Sequence, residues 1–235
     1  MRSTRPTILA VLAALMIPSA LHAQAYQCRV PQVSSVPQIT KGRARVMPVT
    51  GYTLALSWSP AFCRTRETSR SHRMQCSGDF GRFGLVVHGL WPDGGRSWPQ
   101  WCPTQGRPTP ALIRRNMCIM PSARLAARQW AKHGSCMVKK PATYFKVTRI
   151  LWEGLRIPDY DRISRERGLT AGRIRNALAE ANPGWRADAI GVKLNRDGWL
   201  QEIRLCYTKS FMPKRCDPRR FGAKNGARAK IWRGL

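Results

Sequence analysis

Beyond residue 25 this chain has three histidines, His72, His88 and His133, and two of them stand among residues that could do acid–base chemistry. A single histidine on a strand is more often a hydrogen-bonded core residue than a catalyst, so the neighbours have to carry the argument. His88 follows Val86-Val87 and precedes Gly89-Leu90-Trp91-Pro92, which puts its ring where an apolar run meets a bend that glycine permits. His133 closes the run Arg128-Gln129-Trp130-Ala131-Lys132-His133. On a helix Gln129 and His133 share a face, with Lys132 beside them and Arg128 one turn back.

Two imidazoles suit the cleavage of a phosphodiester that carries its own nucleophile. RNA supplies a 2′-OH, so only a base to take that proton and an acid to protonate the leaving 5′-oxygen are needed. DNA lacks the hydroxyl and should not be cut. With ordinary pKa values near 6.5, one ring can be neutral while the other is protonated, and each transfer contributes about 10²- to 10⁴-fold. Lys132 is placed as counter-charge for the extra negative charge of five-coordinate phosphorus, a role worth about 10²- to 10³-fold. The bland alternative is a solvated helix lysine. His72 sits in a charged loop and draws no role.

These side chains need elements to hold them. Tyr52–Trp58, YTLALSW, reads as a buried strand, and Phe83–Pro92, FGLVVHGLWP, as a central strand ended by Pro92 and the turn Asp93-Gly94-Gly95. A helix is expected from Ser122 to His133, capped by Ser122 and ended by Gly134, with further helices over Tyr144–Leu155 and Ala171–Ala181. Thr170 would cap the last and Pro183 stop it. AIGVKL, the turn Asn195-Arg196-Asp197-Gly198 and WLQEIRLCY read as a hairpin. The order predicts a single α+β domain, a mainly antiparallel sheet with flanking helices, the sheet forming the floor of a cleft. Trp91 and Trp130 read first as packing residues that hold the histidines, with base stacking the lesser role for Trp91; the Trp98-Pro99-Gln100-Trp101 loop could stack a base or plug the core edge. Residues 26–50 form a lead-in pinned by Cys28. After Asp217 come six basic residues and no acid, read as a mobile arm adding phosphate affinity or, equally, as an unstructured solubilising tail.

The bulk composition agrees with a polyanionic partner. Residues 1–25 have the pattern of a secretory leader, Arg2 and Arg5 before an apolar run that ends in small residues, with cleavage expected after Ala23 or Ala25. The run contains Pro18 and is short for a membrane span, so no stable membrane association is expected after cleavage. The formal net charge is +29, two charges of which belong to the leader. That exceeds what solubility asks for, and its spread along the chain favours nucleic acid over a membrane surface. Eight cysteines, all beyond the leader, imply disulfides and an oxidising compartment, periplasmic or extracellular. A zinc site is not expected: no CxxC or CxxH pair occurs, and His133 with Cys136 has no second pair at finger spacing.

FGLVVHGLWPDG resembles the first signature segment of the ribonuclease T2 family, and RQWAKHGSC its second, usually written HEWxKHGTC. LSWSPAFC resembles the family's first strand leading to a cysteine, and the resemblance spans Tyr52 to Cys216. It implies an α+β fold and a metal-independent, cofactor-free endoribonuclease acting on single-stranded RNA through a 2′,3′-cyclic phosphate to a 3′-phosphate. His133 would be the base and His88 the acid, with Lys132 and the Gln129 position completing the catalytic set and Trp91 and Arg128 facing substrate. Two positions depart from the pattern. Gln129 stands for the family's glutamate, keeping a hydrogen bond but no charge, and Arg128 stands for its histidine, returning positive charge to the phosphate. The resemblance pairs Cys102 with Cys136 and Cys206 with Cys216. Proximity in sequence pairs Cys63 with Cys76, leaving Cys28 for Cys118. The Cys102–Cys136 bridge would tie the loop after His88 to the end of the helix bearing His133, and closing such a loop is worth about 3–4 kcal/mol in the chain-entropy model.

The competing readings are a cationic RNA-binding protein on a degenerate form of the same fold, and an antimicrobial factor acting by charge alone. A monomer is expected in each case, with domain limits at 1–25, 26–216 and 217–235.

Overall fold

The computed structural model describes residues 25–234, so the leader assignment falls outside the described range apart from Ala25. Four strands build the main sheet: β2 Gly51–Trp58, β4 Leu85–Asp93, β5 Ile190–Leu194 and β6 Leu200–Tyr207, while β1 Ala25–Tyr26 and β3 Arg82–Phe83 form a separate short ribbon. The main sheet is antiparallel throughout, in the order β4-β2-β6-β5. Its helices are α1 Ser59–Cys63, α2 Arg73–Cys76, α3 Pro110–Asn116, α4 Ala123–Lys132, α5 Pro141–Glu153, α6 Tyr160–Ile163, α7 Ala171–Ala181 and α8 Pro218–Phe221.

Alternation along the strands sends Leu54, Leu56, Leu85, Val87, Leu90, Ile203 and Leu205 into one core, shared with Ile113, Tyr144, Phe145, Trp152, Ile174 and Leu178 from the helices. Helix starts follow the local chemistry. Ser122 Oγ accepts from the Leu125 amide and Thr170 Oγ1 from the Arg173 amide, as N-caps. The helix expected from Tyr144 begins a turn earlier, at Pro141, because proline at the first helical position wastes no hydrogen bond. α3 escapes sequence reading: seven residues, from Pro110 behind the Thr109 cap, are too few to show a period.

The strand carrying His88 corrects the expectation. It is an edge strand, not a central one, and runs through Pro92 to Asp93. An edge leaves one side of the backbone unpaired, so a residue with no amide hydrogen fits there. The exposed side is partly covered, since the Val87 amide donates to the Ile119 carbonyl at 2.7 Å.

The basic tail also differs from the expected mobile arm. Arg175 of α7 is fully buried, donating to the carbonyls of Ile190, Phe221 and Ala223 and to Asn225 Oδ1, with its guanidinium 3.7 Å from the Phe221 ring. Burial without a carboxylate pushes this arginine down to about 10. The residues after Asp217 therefore lie across β5 and β6: Val192 bridges Gly222, Trp199 bridges Lys230, and Ala229 and Ile231 are buried. A Cβ on Gly191 would meet the Arg220 carbonyl at 1.9 Å, so only glycine lets the strap cross there. The four disulfides are Cys28–Cys118, Cys63–Cys76, Cys102–Cys136 and Cys206–Cys216, the pairs expected.

Candidate active site

His88 owes its position to a break in the ladder. Ala55 faces Gly89 while the next residue, Leu56, faces Val87, so His88 is the extra residue of a β-bulge. A bulge re-aims the side chain it carries. Here the ring turns toward β6, and Nδ1 lies 2.8 Å from Oε2 of Glu202. Glu202 is 5% exposed and also accepts from Arg204 Nε at 2.8 Å. Burial alone would raise its pKa, but the His88 hydrogen bond and the His88 and Arg204 charges outweigh that, and the carboxyl is held below its ordinary value. An ionised carboxylate only accepts, so the shared proton sits on Nδ1 and Nε2 is the nitrogen left for exchange.

His133 has the opposite setting. It caps the C-terminus of α4, is 6% exposed, and its Nδ1 is buried with no hydrogen-bond partner among the described residues. Burial first, then the charges of Lys132, His88, Arg220 and Arg128, push its pKa down to about 2. The ring is neutral at any ordinary pH. Lys132 is lowered as well, by burial and then by Arg128 and Arg45.

Trp91 joins the two histidines. Its ring lies 5.2 Å from that of His88, edge-on, and 5.7 Å from that of His133, and its Nε1 donates to Gln129 Oε1 at 2.8 Å. Gln129 is buried at 4% exposure, and a Cβ on Gly89 would sit 2.1 Å from its carbonyl oxygen. Glycine at 89 is therefore a packing requirement of the Gln129–Trp91 bond as well as part of the bulge. A glutamine keeps the acceptor oxygen that this bond needs, and its amide nitrogen remains a donor.

The frame around these groups is covalent and ionic. Cys102–Cys136 and the Trp101 amide, which donates to the Lys132 carbonyl at 2.8 Å, tie the loop after β4 to the end of α4. Arg220 reaches back from the C-terminal strap, pairs with Asp93 at 2.8 Å and lies over the rings of Trp91 and Trp98 at 5.6 and 5.8 Å. Arg45 lies over Trp98 at 5.3 Å and Arg128, exposed, over Trp101 at 5.3 Å. The Trp98 loop is thus covered by guanidinium groups instead of standing open.

A model of the ribonuclease T2 family matches residues 50–216. The chain belongs to the ribonuclease T2 family. A curated protein of Haemophilus influenzae named "Probable ribonuclease" is 29% identical over 187 residues, covering 74% of this chain and 64% of that protein, so the chain spans less than two thirds of its length. Among solved structures, trichomaglin, described as a novel S-like ribonuclease, shares the fold with a TM-score of 0.63 at 22% identity, covering 79% of this chain and 98% of that one. RNase NT in complex with 5′-AMP gives 0.57 at 18% identity, with the same coverages.

Within this T2 frame His88, Trp91, Gln129, Lys132, His133 and Arg128 gather at one edge of the sheet, around β4 and α4. Three further groups were not singled out from sequence. Glu202 was one acid in a hairpin, and only the pairing of β6 with β2 brings it to the bulge. Arg220 lay in a segment read as mobile. His72 lines a cleft of about 360 Å³ with Ser57, Phe62, Gln75, His88 and Gln201, because the Cys63–Cys76 bridge folds its loop back over β2. Its ring meets Phe62 edge-on at 5.0 Å, and burial, then the Arg66 charge, lowers its pKa. The bridge spacing was the available signal.

Proposed function

We propose that the chain is an endoribonuclease that cuts single-stranded RNA by transphosphorylation. The observation that carries the reading is the pair of imidazoles against one indole in opposite electrostatic settings. The neutral ring of His133 takes the 2′-OH proton as the oxygen attacks phosphorus. His88, backed by the Glu202 carboxylate, gives a proton from Nε2 to the leaving 5′-oxygen, after which the roles reverse when water opens the 2′,3′-cyclic phosphate to a 3′-phosphate. A bound phosphate brings negative charge among Lys132, Arg128 and Arg220, which relieves the repulsion that adds to burial in holding His133 neutral and makes it a stronger base at that moment. Lys132 and the Gln129 amide then stabilise the charge developing on the phosphoryl oxygens. The scheme asks for no metal, since the nucleophile comes from RNA and both protons from imidazole.

The cleft of about 360 Å³ lined by His88, His72 and Phe62 offers an aromatic wall for one base beside the cut phosphate. RNase NT binds 5′-AMP, a ligand of that class. Four disulfides and the leader pattern support export to an oxidising compartment, and among the described residues no helix is long and apolar enough to cross a membrane.

A second reading, a cationic RNA binder without turnover, is favoured by one observation: His133 lacks a carboxylate neighbour and is pushed far down. The test that separates them is purified protein on RNA in EDTA, wild type beside His133→Ala. Cleavage lost in the variant with binding retained supports the enzyme. No cleavage by either protein, with equal binding, supports the binder.

A further inference from the structure

The basic strap contributes Arg220 to the site described above, and of its other five basic residues Arg228, Lys230 and Arg233 lie together. They wall a cavity of about 660 Å³, together with Trp199, Trp232 and Glu166. The two indoles meet edge-on at 5.4 Å, both half-buried, with Lys230 over Trp199 at 5.4 Å and Arg64 over Trp232 at 4.4 Å. The one carboxylate in the wall is already committed, since both Glu166 oxygens accept from Arg173. Arg64, Arg228, Lys230 and Arg233 are exposed, and none pairs with a carboxylate among the described residues. Flat aromatic walls under unopposed cations suit an anion that carries planar rings.

Two chain segments run from the catalytic cleft to the cavity. Gln201 and Phe62 line the cleft beside His88, while Trp199, two residues before Gln201, lines the cavity and Arg64, two residues after Phe62, lies over its Trp232. Leu200 is a core residue, so alternation turns Trp199 to the opposite face of β6. Trp199 lies three residues before Glu202, and Gln201 between them is the extra residue of a bulge, so at about 3.3 Å per residue the two stand no more than roughly 10 Å apart along the chain, a distance that a few stacked nucleotides span. Recessed indoles suit bases entering a pocket better than they suit insertion into a bilayer.

We propose that the Trp199–Trp232 cavity is a second nucleotide subsite, which binds single-stranded RNA a few residues from the cut phosphodiester and makes long RNA a better substrate than a dinucleotide. The proposal rests on the ribonuclease reading for its catalytic consequence, but its binding can be read alone. The experiment compares Trp232→Ala and the exposed-residue variant Lys230→Gln with wild type. Turnover is measured on a ribodinucleotide and on an eight- to ten-residue RNA, and binding on all-deoxy oligonucleotides of both lengths, which offer no 2′-OH. The Trp58 indole bonds to the main-chain carbonyl of Trp232, a contact that survives truncation of the side chain. Trp232→Ala is expected to lower the long-to-short ratio of kcat/KM, and to weaken long-oligonucleotide binding, on the order of 10- to 100-fold. Lys230→Gln should reduce the salt slope of that binding by about one ion. An unchanged ratio in both variants overturns the proposal, as does an equal loss on both lengths. If wild type cuts nothing yet binds the long deoxy strand through Trp232, the catalytic reading fails and the subsite stands. If the variants leave oligonucleotide binding intact but release the protein from phosphatidylglycerol vesicles, the cavity is a lipid-surface site and the proposal falls.

Discussion

His133 makes acid stability a direct probe of the site. Its pKa falls from 6.5 to about 2 on folding, because the ring is buried and ringed by Lys132, His88, Arg220 and Arg128. Between those two values the unfolded chain binds a proton that the native chain does not, so stability is lost as pH falls below about 6.5. Each pH unit costs about 1.4 kcal/mol from this one ring, or about 3 kcal/mol between pH 6.5 and pH 4.5. His133→Asn removes the titration and leaves every other ionisable group in place. Urea unfolding followed by fluorescence at pH 7 and pH 4.5 should therefore show wild type losing about 3 kcal/mol more than the variant on acidification. Glu202 also favours the native state less in acid, but it titrates in both proteins and cancels in the difference. Equal losses would refute the claim that His133 is held neutral by its surroundings.

Glu202→Gln should leave His88 in place but remove the charge that supports its imidazolium, lowering kcat on the order of 10²-fold with little change in KM; a shift confined to KM contradicts that role. Gln129→Glu keeps the oxygen that accepts from Trp91 and adds a negative charge next to His133, so the acidic side of the pH–rate profile, which reports the base, should move upward, and an unmoved profile counts against it. Arg175→Met strands the carbonyls of Ile190, Phe221 and Ala223, and should cost about 3 kcal/mol or more in urea unfolding while opening the segment after Asp217 to trypsin; a protected tail would mean that other contacts hold it.

The sheet, the long helices and the hairpin were legible because their periodicity and caps are local: Ser122, Thr170 and the Asn195–Gly198 turn act within a few residues of themselves. The edge position of β4 was not, since strand order is set by pairing across the chain, and an apolar run reads as central whether a neighbouring strand or a loop covers it. The histidine at the bulge was visible through Gly89, whereas its partner Glu202 lies 114 residues away and is brought in by register alone. Charge misled most at the C-terminus. Six basic residues without an acid read as a free arm, but buried Arg175 holds that strap by hydrogen bonds to its backbone, a partnership that composition does not record.

The most direct measurement is product analysis on two matched dinucleotides in EDTA by phosphorus NMR, one with ribose and one with 2′-deoxyribose on the 5′ side of the phosphate. Transphosphorylation by two imidazoles predicts a 2′,3′-cyclic phosphate that appears first from the ribose substrate and decays to a 3′-phosphate, with the deoxy substrate untouched. Cleavage of the deoxy substrate, or a linear phosphate formed with no cyclic precursor, would contradict it.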